Sequence, residues 1–139
     1  MNILLVEDNT GDARLVVEAI QASRVRGQVH VVGDGTEALA FLRREGSYAG
    51  ALRPDLILLD LNLPKKDGHA VLATVKAMPA LQHIPVIILT GTQAEADMQR
   101  TYDLGVAAHC VKPQDLDDYF SLVQTIVEVW GRKVRLAAA

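Results

Sequence analysis

At 139 residues the chain has room for one ordinary domain with a real core and not for two. Hydrophobic residues make up 50% and charged residues 22%, which excludes a disordered chain; a net charge of −3 with no Lys/Arg stripe argues against a nucleic-acid binder. The single cysteine, Cys110, excludes an internal disulfide and any cysteine-rich metal site.

The first eight residues lack the basic start of a signal peptide, and no apolar stretch approaches membrane-spanning length, so the expected location is the cytoplasm, with no membrane partner. Residues 3–6 form a short apolar run that predicts a first strand, ending in Glu7-Asp8. Asn9 and Thr10 can cap a helix over 12–23. A second strand is predicted at 29–32, and Asp34-Gly35-Thr36 opens a helix over 36–45. Residues 56–59 are apolar at every position, as suits a parallel strand covered on both faces, and lead into Asp60. A helix over 68–78 follows. The run 86–89 is of the same kind and ends at Thr90; a helix over 93–104 comes next, with Gly105 where a helix end needs a left-handed residue. The fifth run, 106–111, reaches Lys112-Pro113, and an amphipathic helix is predicted over 115–130. Residues 132–139 read as a flexible tail. Pro54, Pro64, Pro79, Pro85 and Pro113 all fall between elements. Five βα units in strict alternation predict an α/β fold, a parallel sheet with helices on both faces, whose ligands bind beyond the carboxyl ends of the strands.

Four polar clusters therefore arrive at one sheet edge: Glu7-Asp8, Asp60, Thr90 and Lys112-Pro113. Three carboxylates brought together repel one another unless a cation intervenes. Mg²⁺ is the natural choice, since it takes one or two carboxylates plus waters and phosphate oxygens. Asp60 is then the nucleophile of an acyl phosphate, Thr90 a donor to one phosphate oxygen and Lys112 a point charge for another. The backbone carbonyl of Asn62 can complete the metal shell. Each piece alone has a plainer explanation. Acids before a helix suit its dipole, Asp60 and Asn62 can shape a turn, Thr90 can cap, and Lys112 can be a solvated lysine. Their coincidence at one edge is what points to chemistry.

Glu7-Asp8, Leu58-Leu59-Asp60-Leu61-Asn62-Leu63-Pro64, Asp67-Gly68, Leu89-Thr90 and Val111-Lys112-Pro113 resemble the motifs of two-component receiver domains over residues 1 to about 131. The resemblance implies a flavodoxin-like, doubly wound sheet of order 2-1-3-4-5 and a single-domain response regulator. It implies that Asp60 takes a phosphoryl group from a histidine kinase. Mg²⁺ would be held by Asp8, Asp60 and the Asn62 carbonyl, with Glu7 assisting through water. Thr90 and Lys112 would sense the phosphate, and the Lys112–Pro113 bond would be cis. In finer detail, the stretch 45–53, Asp60-Leu-Asn-Leu-Pro-Lys-Lys-Asp-Gly, Tyr102-Asp103-Leu104-Gly105 and Lys112-Pro113-Gln114-Asp115-Leu116 resemble stand-alone receivers that partner bacterial phytochrome kinases. Receivers usually carry Tyr or Phe three residues before the lysine, as an inward-swinging switch. Here the position is His109, which brings a titratable proton or is a mere surface histidine on an edge strand.

The nearest alternative is a haloacid-dehalogenase-type phosphatase, which also uses Asp, Thr, Lys and Mg²⁺. Its general acid, a second Asp two residues after the nucleophile, is replaced here by Asn62, which transfers no proton. That favours a long-lived phosphoryl switch over an enzyme. A flavodoxin would need a Ser/Thr-rich first loop and more aromatics, and a receiver-like scaffold without phosphorylation would usually lack the acids or the lysine. Nothing after Trp130 is long enough for a DNA-reading output module, so output is expected through protein contacts. On the last helix, Leu116, Phe120, Val123, Val127 and Trp130 form one stripe, and Tyr119, Leu122, Ile126 and Val129 a second beside it. Together they exceed the arc of about 100° that a surface helix buries. The excess predicts a homodimer face including Leu122, Val129, Met98 and Tyr102, unless the preceding helix covers it within the monomer.

Overall fold

The computed structural model describes residues 1–65, 67–91 and 95–138. Five parallel strands, β1 (Asn2–Val6), β2 (Gln28–Val32), β3 (Leu56–Leu59), β4 (Val86–Thr90) and β5 (Ala108–Val111), form one sheet in the order 2-1-3-4-5. Helices α1 (Thr10–Ala22), α2 (Gly35–Arg43), α3 (Gly68–Ala77), α4 (Glu95–Asp103) and α5 (Leu116–Ala138) alternate with them. A short 3-10 turn, Gly46–Tyr48, lies in the long connection before β3.

Side chains alternate across a strand, so the uniformly apolar runs divide into two cores. Leu4, Val6, Ile57, Leu59, Val86 and Ile88 pack on one face against α2 and α3. Ile3, Leu5, Leu56, Leu58, Ile87 and Leu89 pack on the other against α1 and α5. Each fully buried Leu or Ile stabilises the fold by about 2 kcal/mol. The strand order reverses between β1 and β3, which neighbour each other from Ile3↔Leu56 to Val6↔Leu59. Their carboxyl ends frame the crevice where an open sheet of this type binds ligands.

Helix starts fall where the sequence marks them. The side chains of Asn9, Asp34 and Asp67 accept hydrogen bonds from the N–H groups of Asp12, Glu37 and Ala70. Gly105, at φ 86°, follows α4. The expected start of α4 at Gln93 lies outside the described residues.

Two expectations are corrected. The final helix does not close near Trp130 but runs on to Ala138. Residues 132–138 are mostly strong helix formers and contain no proline. Gly131 acts as a contact point rather than a stop: a Cβ there would lie 3.1 Å from Val25 Cγ2. The Lys112–Pro113 bond is trans rather than cis. The ordinary preference of about 0.5–1 kcal/mol for trans is not overruled, because Lys112 reaches its partners from that isomer.

Candidate functional site

Each polar group at the carboxyl edge is placed by the end of a strand. β1 delivers Glu7 and Asp8, β3 delivers Asp60, β4 ends on Thr90, and β5 hands over Lys112. The edge is held by the main chain: Glu7 N–H donates to Val32 O, Asp60 N–H to Val6 O, and Lys112 N–H to Thr90 O. Glu7, Asp60 and Thr90 are buried, at 4%, 6% and 0% exposure, whereas Asp8 is exposed.

Lys112 is the hub. Its Nζ donates to Glu7 Oε2 at 2.7 Å, Asp12 Oδ2 at 2.9 Å and Asp60 Oδ2 at 3.0 Å. Burial works against the ammonium, but these carboxylates outweigh it and hold the group protonated well above the ordinary lysine range. Burial pushes the Glu7 carboxyl up to about 7; the Asp60 charge adds to the rise and Lys112 opposes it. Asn62 meets Asp60 through its backbone N–H, which donates to Asp60 Oδ1 at 3.1 Å. The Thr90 hydroxyl is buried and has no hydrogen-bond partner among the described residues.

Glu7, Asp8 and Asp60 each offer a carboxylate oxygen, and these atoms lie within 4.8 Å of one another. Ligands of a hard ion at about 2.1 Å stand up to about 4.2 Å apart. The cluster thus closes on a divalent cation with a small inward shift. The donors are all oxygens, as Mg²⁺ or Mn²⁺ requires. The orphaned Thr90 hydroxyl beside them fits a phosphoryl oxygen.

Two nearby residues escape a motif search. Asp12 sits in the first turn of α1, and because that helix begins at the carboxyl end of β1, an acid there faces the same edge. The only signal is its place three residues after the Asn9 cap. Tyr119 of α5 is 2% exposed, and its hydroxyl has no partner among the described residues. Burial raises its pKa; the Lys112 charge opposes this, while Glu7, Asp12 and Asp60 add to it.

His109 is not a surface histidine. It is 7% exposed, and its Nδ1 lies 2.8 Å from Thr101 Oγ1, beneath α4. Burial pushes its imidazole below the usual range; the Asp97 carboxylate opposes this and His69 adds to it. His69, also buried, places Nε2 3.2 Å from Asp97 Oδ1. The flank expected on α5 is narrower than its two stripes implied. Tyr119, Val123, Ile126 and Val127 are buried, and Phe120, Leu122 and Trp130 partly so. Tyr102, Leu116 and Val129 remain 50%, 66% and 42% exposed, and Met98 is half-buried.

Comparison with known proteins agrees with this geometry. The response regulator receiver domain family matches residues 3–124. Response regulator Rcp1 of Synechocystis sp. is 46% identical over 137 residues, 99% of this chain and 93% of that protein. The Mn²⁺-bound form of Rcp1 is similar in structure, with a TM-score of 0.90 at 46% identity over 93% of both chains. The phosphorylated cyanobacterial phytochrome response regulator RcpA gives a TM-score of 0.90 at 51% identity, covering 93% of this chain and 92% of its own. These likenesses support a signalling switch over a dehalogenase-type phosphatase. The chain belongs to the response regulator receiver domain family and is a response regulator of two-component phosphorelay signalling.

Proposed function

We propose that Asp60 is the phosphoacceptor of a cytoplasmic switch whose donor is a sensor histidine kinase of the phytochrome class. In the transfer an Asp60 carboxylate oxygen attacks the phosphorus of a phosphohistidine. The P–N bond breaks, its electron pair returns to the imidazole, and an acyl phosphate forms on Asp60. Thr90 Oγ1 then donates to one phosphoryl oxygen and Lys112 sets its charge against another. Glu7, Asp8, Asp60 and the Asn62 carbonyl would hold Mg²⁺, which when bound would neutralise charge on the carboxylates and the phosphoryl oxygens. The observation that carries this reading is the buried Asp60 carboxylate, bonded to Lys112 and accompanied by the unpartnered Thr90 hydroxyl. The likeness to the phosphorylated regulator RcpA supports both the chemistry and the choice of kinase.

Intact-mass measurement after incubation with acetyl phosphate tests the reading. One phosphoryl group should add in the presence of Mg²⁺ and none in EDTA. Equal labelling with and without Mg²⁺ overturns the metal assignment.

Output passes through protein contacts, the first of them a second copy of the chain. Tyr102 of α4 and Val129 of α5 expose apolar surface, and Met98 and Leu122 are half-covered. A two-fold pairing across this face buries the same patch on both copies. Sedimentation velocity at micromolar concentration should show a dimer for the unmodified chain. Val129→Asp and Leu122→Asp should shift it to monomer by roughly tenfold or more in dissociation constant. A phosphorylated, unmodified chain that stays monomeric removes the face from consideration.

A further inference from the structure

We propose that Asp12 is a positioning residue for Lys112: it keeps hold of the ammonium when Glu7 and Asp60 give their oxygens to a divalent cation. The proposal rests on the assignment of Glu7, Asp8 and Asp60 to that cation.

A lysine ammonium has three N–H donors. Those of Lys112 meet one acceptor each, on Glu7, Asp12 and Asp60. Two of these acceptors belong to the carboxylate cluster that can hold a metal, and Asp12 does not. Lys112 and a cation therefore draw on the same two carboxylates, and a cation bound there weakens the hold of Glu7 and Asp60 on Lys112. The lysine side chain is 12% exposed, so an ammonium left there without a partner is costly. Asp12 is the acceptor that remains.

Its setting suits that task. The Asp12 side chain is 31% exposed, against 2% for Glu7 and 7% for Asp60, so it has freedom to follow the ammonium. Its main chain is fixed, because its N–H donates to Asn9 Oδ1 at 2.9 Å. The Asn9 N–H in turn donates to Glu7 Oε1 at 3.1 Å. One capping residue thus sets the distance between the acid that yields Lys112 and the acid that retains it.

Calorimetric titration with Mg²⁺ of four chains tests this: unmodified, Asp12→Asn, Lys112→Met and the double variant. Asp12→Asn should weaken Mg²⁺ binding about fivefold when Lys112 is present, and less than about twofold when Met replaces it. Equal weakening in both backgrounds makes Asp12 a distant charge and overturns the proposal. No Mg²⁺ binding by the unmodified chain overturns the metal assignment instead. If Lys112→Met does not fold, the ¹⁵Nζ signal of Lys112 decides between the outcomes. At saturating Mg²⁺ it should stay protected from exchange in the unmodified chain and broaden in Asp12→Asn. Protection in both chains overturns the proposal.

Discussion

Gly68→Ala is expected to cost roughly 3 kcal/mol of stability and to abolish phosphoryl labelling with it. A Cβ at this position would lie 2.4 Å from the Asp60 carbonyl oxygen and 2.6 Å from Leu61 Cα. Both obstacles are main chain, so no side-chain end can swing aside. Gly68 N–H also donates to Leu61 O at 3.0 Å, which pins the start of α3 to the turn after β3. Admitting a methyl group means lifting α3 off that turn, and the turn carries Asp60. For a chain of this length the loss corresponds to a melting point lower by about 10 °C. Circular dichroism on heating measures it. A melting point within about 2 °C of the unmodified chain would show that the contact relaxes at little cost.

Asp60→Asn should show the opposite sign of stability while losing all phosphoryl labelling. Among the described residues Lys112 is the cation paired with Glu7, Asp12 and Asp60, with Asp8 close by, so carboxylates outnumber it there. Removing one charge relieves repulsion, and the amide oxygen can still accept from Asn62 N–H. A gain on the order of 1 kcal/mol follows in metal-free buffer. The pH dependence should change as well. Glu7 is raised from 4.5 to about 7 in the folded chain, so the folded state binds more protons than the unfolded one between those values. Its contribution to stability is fully present below about 4.5 and is lost as pH rises through about 7. Asp60 is one cause of that rise, so Asp60→Asn should flatten the loss. Denaturant unfolding from pH 4.5 to 8 in EDTA measures it. An unchanged slope, or labelling that survives the substitution, contradicts the assigned arrangement.

Much of the fold is legible in the sequence because its signals are local. Runs such as Leu56–Leu59 carry their own burial, and Asn9, Asp34 and Asp67 mark helix starts. The site is legible for the same reason, since Glu7, Asp60, Thr90 and Lys112 each stand one step past or at the end of an apolar run. What the sequence hides depends on contacts between distant segments. Asp12 gains its partner only because Lys112, 100 residues later, is brought over the first turn of α1. His109 is inward because Thr101 and α4 lie over it. The last helix, expected to end near Trp130, runs on to Ala138, past Gly131 beside Val25. The width of the apolar flank on α5 likewise follows from what α1 and the sheet cover, which no periodicity in α5 alone reveals.

The bond from Lys112 N–H to Thr90 O, at 2.8 Å, has a mechanical meaning. It yokes the ends of two adjacent strands, so a displacement at either is felt by both. The far end of the Lys112 side chain is tethered to α1 through Asp12, on the opposite face of the sheet from α2 and α3. The two cores are insulated from each other by a layer of close-packed strands, but their rim is cross-linked. A load applied at Asp60 therefore has a short, stiff route to either side of the molecule, and a binding partner has no need to touch the acidic edge to sense it.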